Sequence, residues 1–302
     1  MKVLVLAGGN SAERNVSLQS GSTVALALTF TGKYIADLRD PAEFNLLTSD
    51  CSQWDIAFPM VHGTGGEDGV LQRQLGRIGL MYVGSNAEAS ELTFDKIRTN
   101  QLLSQHGITV PPEIVLQKND MAADNHNAII KLGLPVVVKP PRQGSSIGVS
   151  IVQTAEQIAA ALSLAFEYDE ECLVEQYIDG AEVTVTVIDG KAYPAIEIRP
   201  ATEWYDYDSK YADNRTQYII DTDNTFQTAS DIAVKACEIC GVTGIARVDF
   251  RIDTLGGTYL LEVNTIPGMT SHSLVPKSAA AAGLSMSDLC DLAIQNRLQR
   301  LP

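Results

Sequence analysis

Positive charge is scarce in this chain: 22 Lys and Arg stand against 37 Asp and Glu, for a net charge of −15. So acidic a protein is repelled by nucleic acid and by anionic membranes, and neither is expected as a partner. Long apolar runs are missing too. None approaches the ~18 residues that cross a bilayer. Met1-Lys2 leads straight into an apolar strand, with no charged-then-apolar leader before it, so a cytoplasmic protein is expected. Cysteine is sparse and odd in number, five in 302 residues, which leaves no disulfide framework. Cys237 and Cys240 do form a C-x-x-C. They continue, however, the helical series begun by Ala229, Ile232, Ala233 and Ala236, so both thiols fall on one apolar helix face. No second Cys/His pair stands nearby to complete a zinc site. Cys51, Cys172 and Cys290 read as packed residues. Also absent are repeats, low-complexity tracts, the G-x-G-x-x-G of a dinucleotide fold and the G-x-x-x-x-G-K-[ST] of a P-loop.

What is present is a large α/β chain, long enough for two or three domains. Residues 1–95 alternate strand and helix: strand Lys2–Leu6, a Gly-Gly loop, a helix to about Leu28, strand Asp55–Met60, helix Val70–Arg77 and strand Leu80–Val83. Ser85 and Glu88 offer a capping box for the next helix. Such alternation predicts a mostly parallel sheet. Residues 96–180 carry a helix from Phe94-Asp95-Lys96 to about His106, strand Leu134–Pro140, a Gly/Ser loop at 143–148 and a helix opened by the capping box Thr154 to Gln157. An edge strand is expected at Leu173–Ile178. Residues 181–302 hold strands Val183–Ile188 and Ala192–Arg199, an aperiodic polar-aromatic stretch at 204–211, the 229–240 helix, a hairpin and a last helix from about Ser285.

The hairpin carries the chemistry. Arg247, Asp249 and Arg251 alternate with Val248, Phe250 and Ile252, and the turn at 253–257 returns the chain into Tyr259–Asn264. Residues two apart on a strand share a face, so Asp249, Glu262 and Asn264 can converge, with Arg247 over the same spot. Two carboxylates and an amide oxygen form a hard, oxygen-only set suited to Mg²⁺ rather than zinc. Alternating acid and base alone would mark a solvated sheet face. The continuation, Pro267-Gly268-Met269-Thr270-Ser271-His272-Ser273, tips the reading towards an anion-binding loop of N–H groups and hydroxyls. Lys139, ending an apolar strand beside the Gly/Ser loop, is expected as a phosphate ligand by the same logic, with a lysine snorkelling to solvent as the alternative.

LLEVNTIPGMTSHSLVP, with Arg247 and Asp249 before it, resembles the C-terminal signature of the D-alanine–D-alanine ligases of the ATP-grasp superfamily. The likeness runs the length of the chain, through GGNSAERNVSLQSG, HGTGGEDG and VKPPRQGSSIGV, with Asn15 and Gln143 where many relatives carry charged residues. It implies an ATP-grasp fold, α/β with α+β lobes: an N-terminal Rossmann-like parallel-sheet domain (1–95), a central lobe (96–180) and a C-terminal lobe with the metal hairpin and a lid (181–302). It implies a ligase joining two D-alanines through an acyl phosphate, for peptidoglycan precursor synthesis, or else a related carboxylate–amine or D-alanine–D-lactate ligase. By the same resemblance Lys96, Lys139 and Ser146 hold ATP phosphates, Glu175, Gln176, Tyr177 and Ile178 line the adenine and ribose pocket, and Glu182 binds the ribose. Asp249, Glu262 and Asn264 would hold two Mg²⁺ ions, with Mn²⁺ able to substitute. Glu13, linked to Ser145 and Tyr211, would hold the first D-alanine, with Lys210 and Tyr211 as the lid pair. Arg247 and the Gly268 N–H would hold the oxyanion, Ser273 and Leu274 would seat the second substrate, and His62 would touch substrate. A homodimer is expected.

Overall fold

The computed structural model describes residues 1–120, 122–200 and 215–300. Its first sheet is parallel and three-stranded, in the order β2 (Ile35–Arg39), β1 (Lys2–Leu6), β3 (Ile56–Pro59). Strand β1 is buried from Val3 to Leu6, as the central strand of a covered parallel sheet must be. Helices α1 (Arg14–Phe30) and α2 (Val70–Arg77) flank it. The sequence does not announce β2, whose ILE-ALA-ASP-LEU-ARG pattern is short and half polar, and its exposed edge is the reason. The expected strand at 80–83 shrinks to a single bridge between Tyr82 and Ala57.

Next come α3 (Ala87–Phe94) and α4 (Lys96–Gln105). Asn86, not Ser85, caps α3, its side chain accepting from Ala89 N at 2.9 Å. The Ser85 hydroxyl is committed elsewhere, donating to Thr243 O and accepting from Thr243 N. Asp95 caps α4 through Arg98 N. The central sheet is antiparallel, in the order β4 (Glu113–Gln117), β7 (Glu171–Gln176), β5 (Val136–Lys139), β6 (Ser150–Val152). Strand β7 is therefore interior rather than an edge, because β4, a strand without a strong sequence signal, pairs along its outer side. Helices α5 (Ala122–Leu132) and α6 (Ile158–Ala165) cover the sheet. Ile158, Ala161, Leu162 and Ala165 point inward as the 3.6-residue period requires.

The last sheet is antiparallel too: β11 (Gln217–Ile220), β10 (Ile196–Arg199), β8 (Gly180–Ile188), β12 (Ile245–Asp253), β13 (Thr258–Asn264), with β9 (Lys191–Ala192) beside β8. Pro194 lies between β9 and β10, and the single strand expected over 192–199 is split there. Helix α7 (Gln227–Ile239) packs on this sheet, and α8 (Leu274–Ala281) and α9 (Met286–Gln299) follow the hairpin. Leu289, Cys290, Ala293 and Ile294 of α9 join Val24, Ala27 and Leu28 of α1 in one buried cluster, so the end of the chain closes the N-terminal core. Burial pushes the Cys172, Cys237, Cys240 and Cys290 thiols up to about 12. They are protonated packing groups, as the helical spacing of the C-x-x-C indicates. Among the described residues no helix is long and apolar enough to cross a membrane.

Candidate active site

The β12–β13 register puts Asp249 directly opposite Glu262 and Arg247 opposite Asn264. A β-bulge follows between Asp249 and Phe250, which ends the pairing phase that aligns the four side chains. Arg247 grips Asp249 through Nε and Nη2, at 2.9 and 2.7 Å from Oδ1 and Oδ2, and reaches Glu262 Oε1 at 3.2 Å. Lys96 Nζ lies 3.2 Å from Glu262 Oε2 and donates to the Gln143 carbonyl at 2.8 Å. Thr184, on the neighbouring strand β8, donates to Asp249 Oδ1 at 2.7 Å. The carboxylates are thus half-buried, on one sheet face and held against two cations. The donor set fits a hard divalent ion, since all three candidate ligands offer oxygen and Asn264 Oδ1 is locally fixed by Ile266 N at 2.9 Å.

Two clefts meet over this hairpin. One, of about 160 Å³, lies between the central and C-terminal sheets. Lys139, Ser146, Glu175, Gln176, Tyr177 and Ile178 line it, with Val137, Ile151 and Leu261 as apolar wall. Lys139 is paired with Glu175 at 2.6 Å, both side chains nearly buried. The other, of about 250 Å³, opens towards the N-terminal sheet and is lined by Glu13, His62, Arg247, Asn264, Gly268, Ser273 and Leu274. Lys96, Ser145, Glu182, Asp249 and Glu262 border both. Every candidate residue within the described part of the chain therefore lines one cleft or the other. Lys210 and Tyr211 lie outside the described residues.

Glu13 precedes α1 and is buried between two loops. The Ser145 hydroxyl donates to its Oε1. A Cβ on Gly63 would meet Glu13 Oε2 at 2.7 Å and one on Gly144 at 2.8 Å, so the glycines of both loops give the carboxylate its room. Ser145 and Ser146 both sit in the left-handed region, at φ 50° and 59°, an uncommon backbone for serine that is concentrated at ligand-binding turns. Ser273 is the N-cap residue of α8, and its Oγ accepts from Thr270 N at 3.0 Å, so the loop after β13 delivers N–H groups and hydroxyls to the same end of the cleft.

His62 borders the cleft, but its ring also ties the loop after β3 to the loop after β13. Nδ1 donates to the Ile266 carbonyl at 2.9 Å, and Nε2 hydrogen-bonds the Ser20 hydroxyl at 3.2 Å. Ser20 Oγ in turn accepts from Met269 N, next to Gly268. Three site contributors escape the sequence reading. Thr184 carries no motif. Arg251 shares the period-2 face of Asp249, a signal that could have marked it; it donates to Ile178 O at 3.0 Å and lies 5.4 Å from the Tyr177 ring centroid. Asn100 bridges Glu113 Oε2 at 2.6 Å and Glu175 Oε1 at 3.5 Å. Burial pushes the Glu113 carboxyl up, against the Asn100 hydrogen bond.

A cleft between two antiparallel sheets, with an oxygen-lined hairpin at its floor and a second cleft beyond, defines the fold of the ATP-grasp ligases. The D-ala D-ala ligase C-terminus family matches residues 102–295. A D-alanine–D-alanine ligase from Mannheimia succiniciproducens is 41% identical over 292 residues, 95% of each chain. One from Haemophilus influenzae is 42% identical over 289 residues, 94% of this chain and 97% of that one. The crystal structure of Bacillus anthracis D-alanine–D-alanine ligase complexed with ATP superposes with a TM-score of 0.86 at 33% identity, covering 99% of this chain and 98% of that one. The Enterococcus faecalis VanG D-Ala:D-Ser ligase superposes at 0.82 with 29% identity, covering 98% and 99%. The chain belongs to the D-alanine–D-alanine ligase family.

Proposed function

We propose that this chain joins two D-alanines into D-alanyl-D-alanine at the expense of ATP, as a step in peptidoglycan precursor synthesis. The observation that carries the reading is the shared border of the two clefts: Lys96, Asp249 and Glu262 face both. A nucleotide in the smaller cleft then presents its γ-phosphoryl group to a carboxylate in the larger one.

In the smaller cleft Val137, Ile151 and Leu261 give an apolar base its contact surface, Glu182 meets the ribose, and Lys139, Lys96 and Ser146 meet phosphate. Asp249, Glu262 and Asn264 would hold Mg²⁺, two ions in this reading with Mn²⁺ as a substitute, and the bound metal supplies charge neutralisation across the phosphates. Glu13, fixed by Ser145, holds the first D-alanine by its ammonium and leaves the carboxylate facing the hairpin. That carboxylate attacks the γ-phosphorus, ADP departs, and an acyl phosphate forms. The second D-alanine, its carboxylate at Ser273 and Leu274 on the N-terminus of α8, attacks as the free amine. Arg247 and the Gly268 N–H stabilise the tetrahedral oxyanion, phosphate leaves, and the amine's proton passes to solvent. Lys210 and Tyr211 are assigned to closing the site over the reactants. The active form is read as a homodimer, on the exposed Leu26 and Phe30 of α1 and Ile35 of the edge strand β2.

The test is a competition. With D-alanine as sole amino acid, ATP should yield ADP, phosphate and the dipeptide, and L-alanine should not replace it. When D-alanine competes with D-lactate or D-serine, the dipeptide should dominate and gain further between about pH 6 and about pH 8 as the amine deprotonates. D-alanyl-D-lactate or D-alanyl-D-serine as main product would overturn the second-substrate assignment. No phosphate release with D-alanine would overturn the reading itself.

A further inference from the structure

Arg142 lines neither cleft, yet it pairs with three carboxylates. Its Nε and Nη2 meet Asp169 Oδ2 and Oδ1 at 2.9 and 2.5 Å, a two-pronged contact of the kind a guanidinium makes best. Its Nη1 meets Glu171 Oε2 at 2.9 Å and Asp95 Oδ2 at 3.0 Å. The side chains of Asp95 and Asp169 are only 10% and 8% exposed, so the two aspartates are fixed anchors, while Arg142 and Glu171 keep 36% and 30% of their side chains open to solvent.

The three acids belong to different parts of the frame. Glu171 opens β7, the interior strand whose far end, Glu175 and Gln176, lines the smaller cleft, and Asp169 lies just before it and accepts from Glu171 N. Asp95 caps α4 with its other oxygen, and the first residue of that helix is Lys96. Arg142 itself is the residue before the loop that carries Ser145 and Ser146. Two further bonds cross at this point: Lys96 N donates to Pro141 O at 3.2 Å, and Lys96 Nζ donates to Gln143 O at 2.8 Å. The root of the Gly/Ser loop is thus fastened on one side by Lys96 and on the other by Arg142. Between Ser145 and Gly148 the loop holds three left-handed residues, at φ 50°, 59° and 72°. A turn of that kind relaxes unless its ends are fixed.

Resting on the functional reading above, we infer that Arg142 is a positioning residue for ATP: through Asp95, Asp169 and Glu171 it sets the loop of Ser145 and Ser146, and with it Lys96, over the phosphates. Its ties lie at the loop root, Lys96 and the near end of β7, on the phosphate side, whereas the base meets the far end of that strand, at Glu175 and Gln176. Burial alone would lower the pKa of this guanidinium, and the carboxylates raise it, so it remains a cation throughout.

The experiment compares the parent enzyme with Arg142→Lys, Arg142→Met and Asp169→Asn, none of which alters a cleft residue. Binding of a non-hydrolysable ATP analogue with Mg²⁺ and of adenosine is measured by calorimetry, next to KM for ATP. Arg142→Lys and Asp169→Asn should weaken the analogue about tenfold and raise KM for ATP similarly, about one charge-assisted hydrogen bond's worth, while adenosine binds within about twofold of the parent. A merely structural role would weaken analogue and adenosine together, or lower the melting temperature and leave both constants alone; either result overturns the inference. If Arg142→Met does not fold, the two milder variants decide. Failure of the functional reading shows separately, as a parent that releases no phosphate with D-alanine.

Discussion

Glu262 stands between two cations, Lys96 at 3.2 Å and Arg247 at 3.2 Å, and faces the junction of the clefts. Replacing it by Gln keeps the shape and removes the charge that metal and lysine share. Turnover should fall by about a hundredfold or more, the loss of one centred electrostatic contact in a transition state. The melting temperature should move little. A Glu262→Gln enzyme with parental turnover at low Mg²⁺ would remove Glu262 from the metal set. Asp40 acts on stability instead. Burial pushes its carboxyl up, but N–H groups of Gly9 and Ala42 at 2.8 and 2.9 Å and the Arg14 guanidinium outweigh that and hold it below the usual carboxylate range. A depressed folded-state pKa gives stability that is present above the unfolded value and lost as pH falls through the folded one. Asp40→Asn should cost about 2 kcal/mol near neutrality, as for hydrogen bonds to a charged group. The deficit should shrink once pH drops below about 4, where the parent loses the same interaction. Urea unfolding of both proteins across that range checks it, and a deficit that does not change with pH contradicts it.

At the scale of elements, the hairpin was the most legible part of the chain, because period-2 alternation fixes a face and the turn joins the two strands. A slip of one residue would have sent Glu262 into the core and Val263 to the cleft. The shared face of Asp249 and Glu262 is the one the spacing implied, but their direct opposition depends on the bulge between Asp249 and Phe250, without which the pairing of Arg251 with Tyr259 and Phe250 with Leu260 would set Asp249 opposite Leu261. Helix Val70–Arg77, strand Lys2–Leu6 and the Thr154 capping region were legible for the same reason: local pattern and tertiary need agree. Strands β2, β4, β6 and β11 were not. Each is short, and β2 and β11 are sheet edges whose residues are all half-buried or exposed, so hydrophobic pattern says little about them. Missing β4 is what made β7 look like an edge. Helix α8 was hidden behind the signature loop, with Pro276 in its first turn, where proline is tolerated. Its N-cap, Ser273, holds the Thr270 amide and hydroxyl at 3.0 and 2.9 Å. Ser273→Ala should loosen this loop and raise the KM of the second D-alanine about fivefold, one hydrogen bond's worth, leaving KM for ATP nearly unchanged. Equal rises in both constants would detach Ser273 from the second-substrate site.

For the whole molecule, three sheets converge on one junction and the chain's last helix returns to the first core. On the surface of α1, Phe30 at 88% exposure and Leu26 at 73% lie on one face, four residues apart. Light scattering on the parent should therefore report a dimer, and Leu26→Glu with Phe30→Glu a monomer. A parental monomer would leave that face without its assigned partner. The central claim is narrower: that a carboxylate in the larger cleft attacks the γ-phosphorus of ATP in the smaller one. D-alanine labelled with heavy oxygen in its carboxylate tests it most directly. Attack through an acyl phosphate must carry one labelled oxygen from each activated D-alanine into the phosphate released, matched one-to-one with dipeptide. Phosphate free of the label, with dipeptide still formed, would contradict the account.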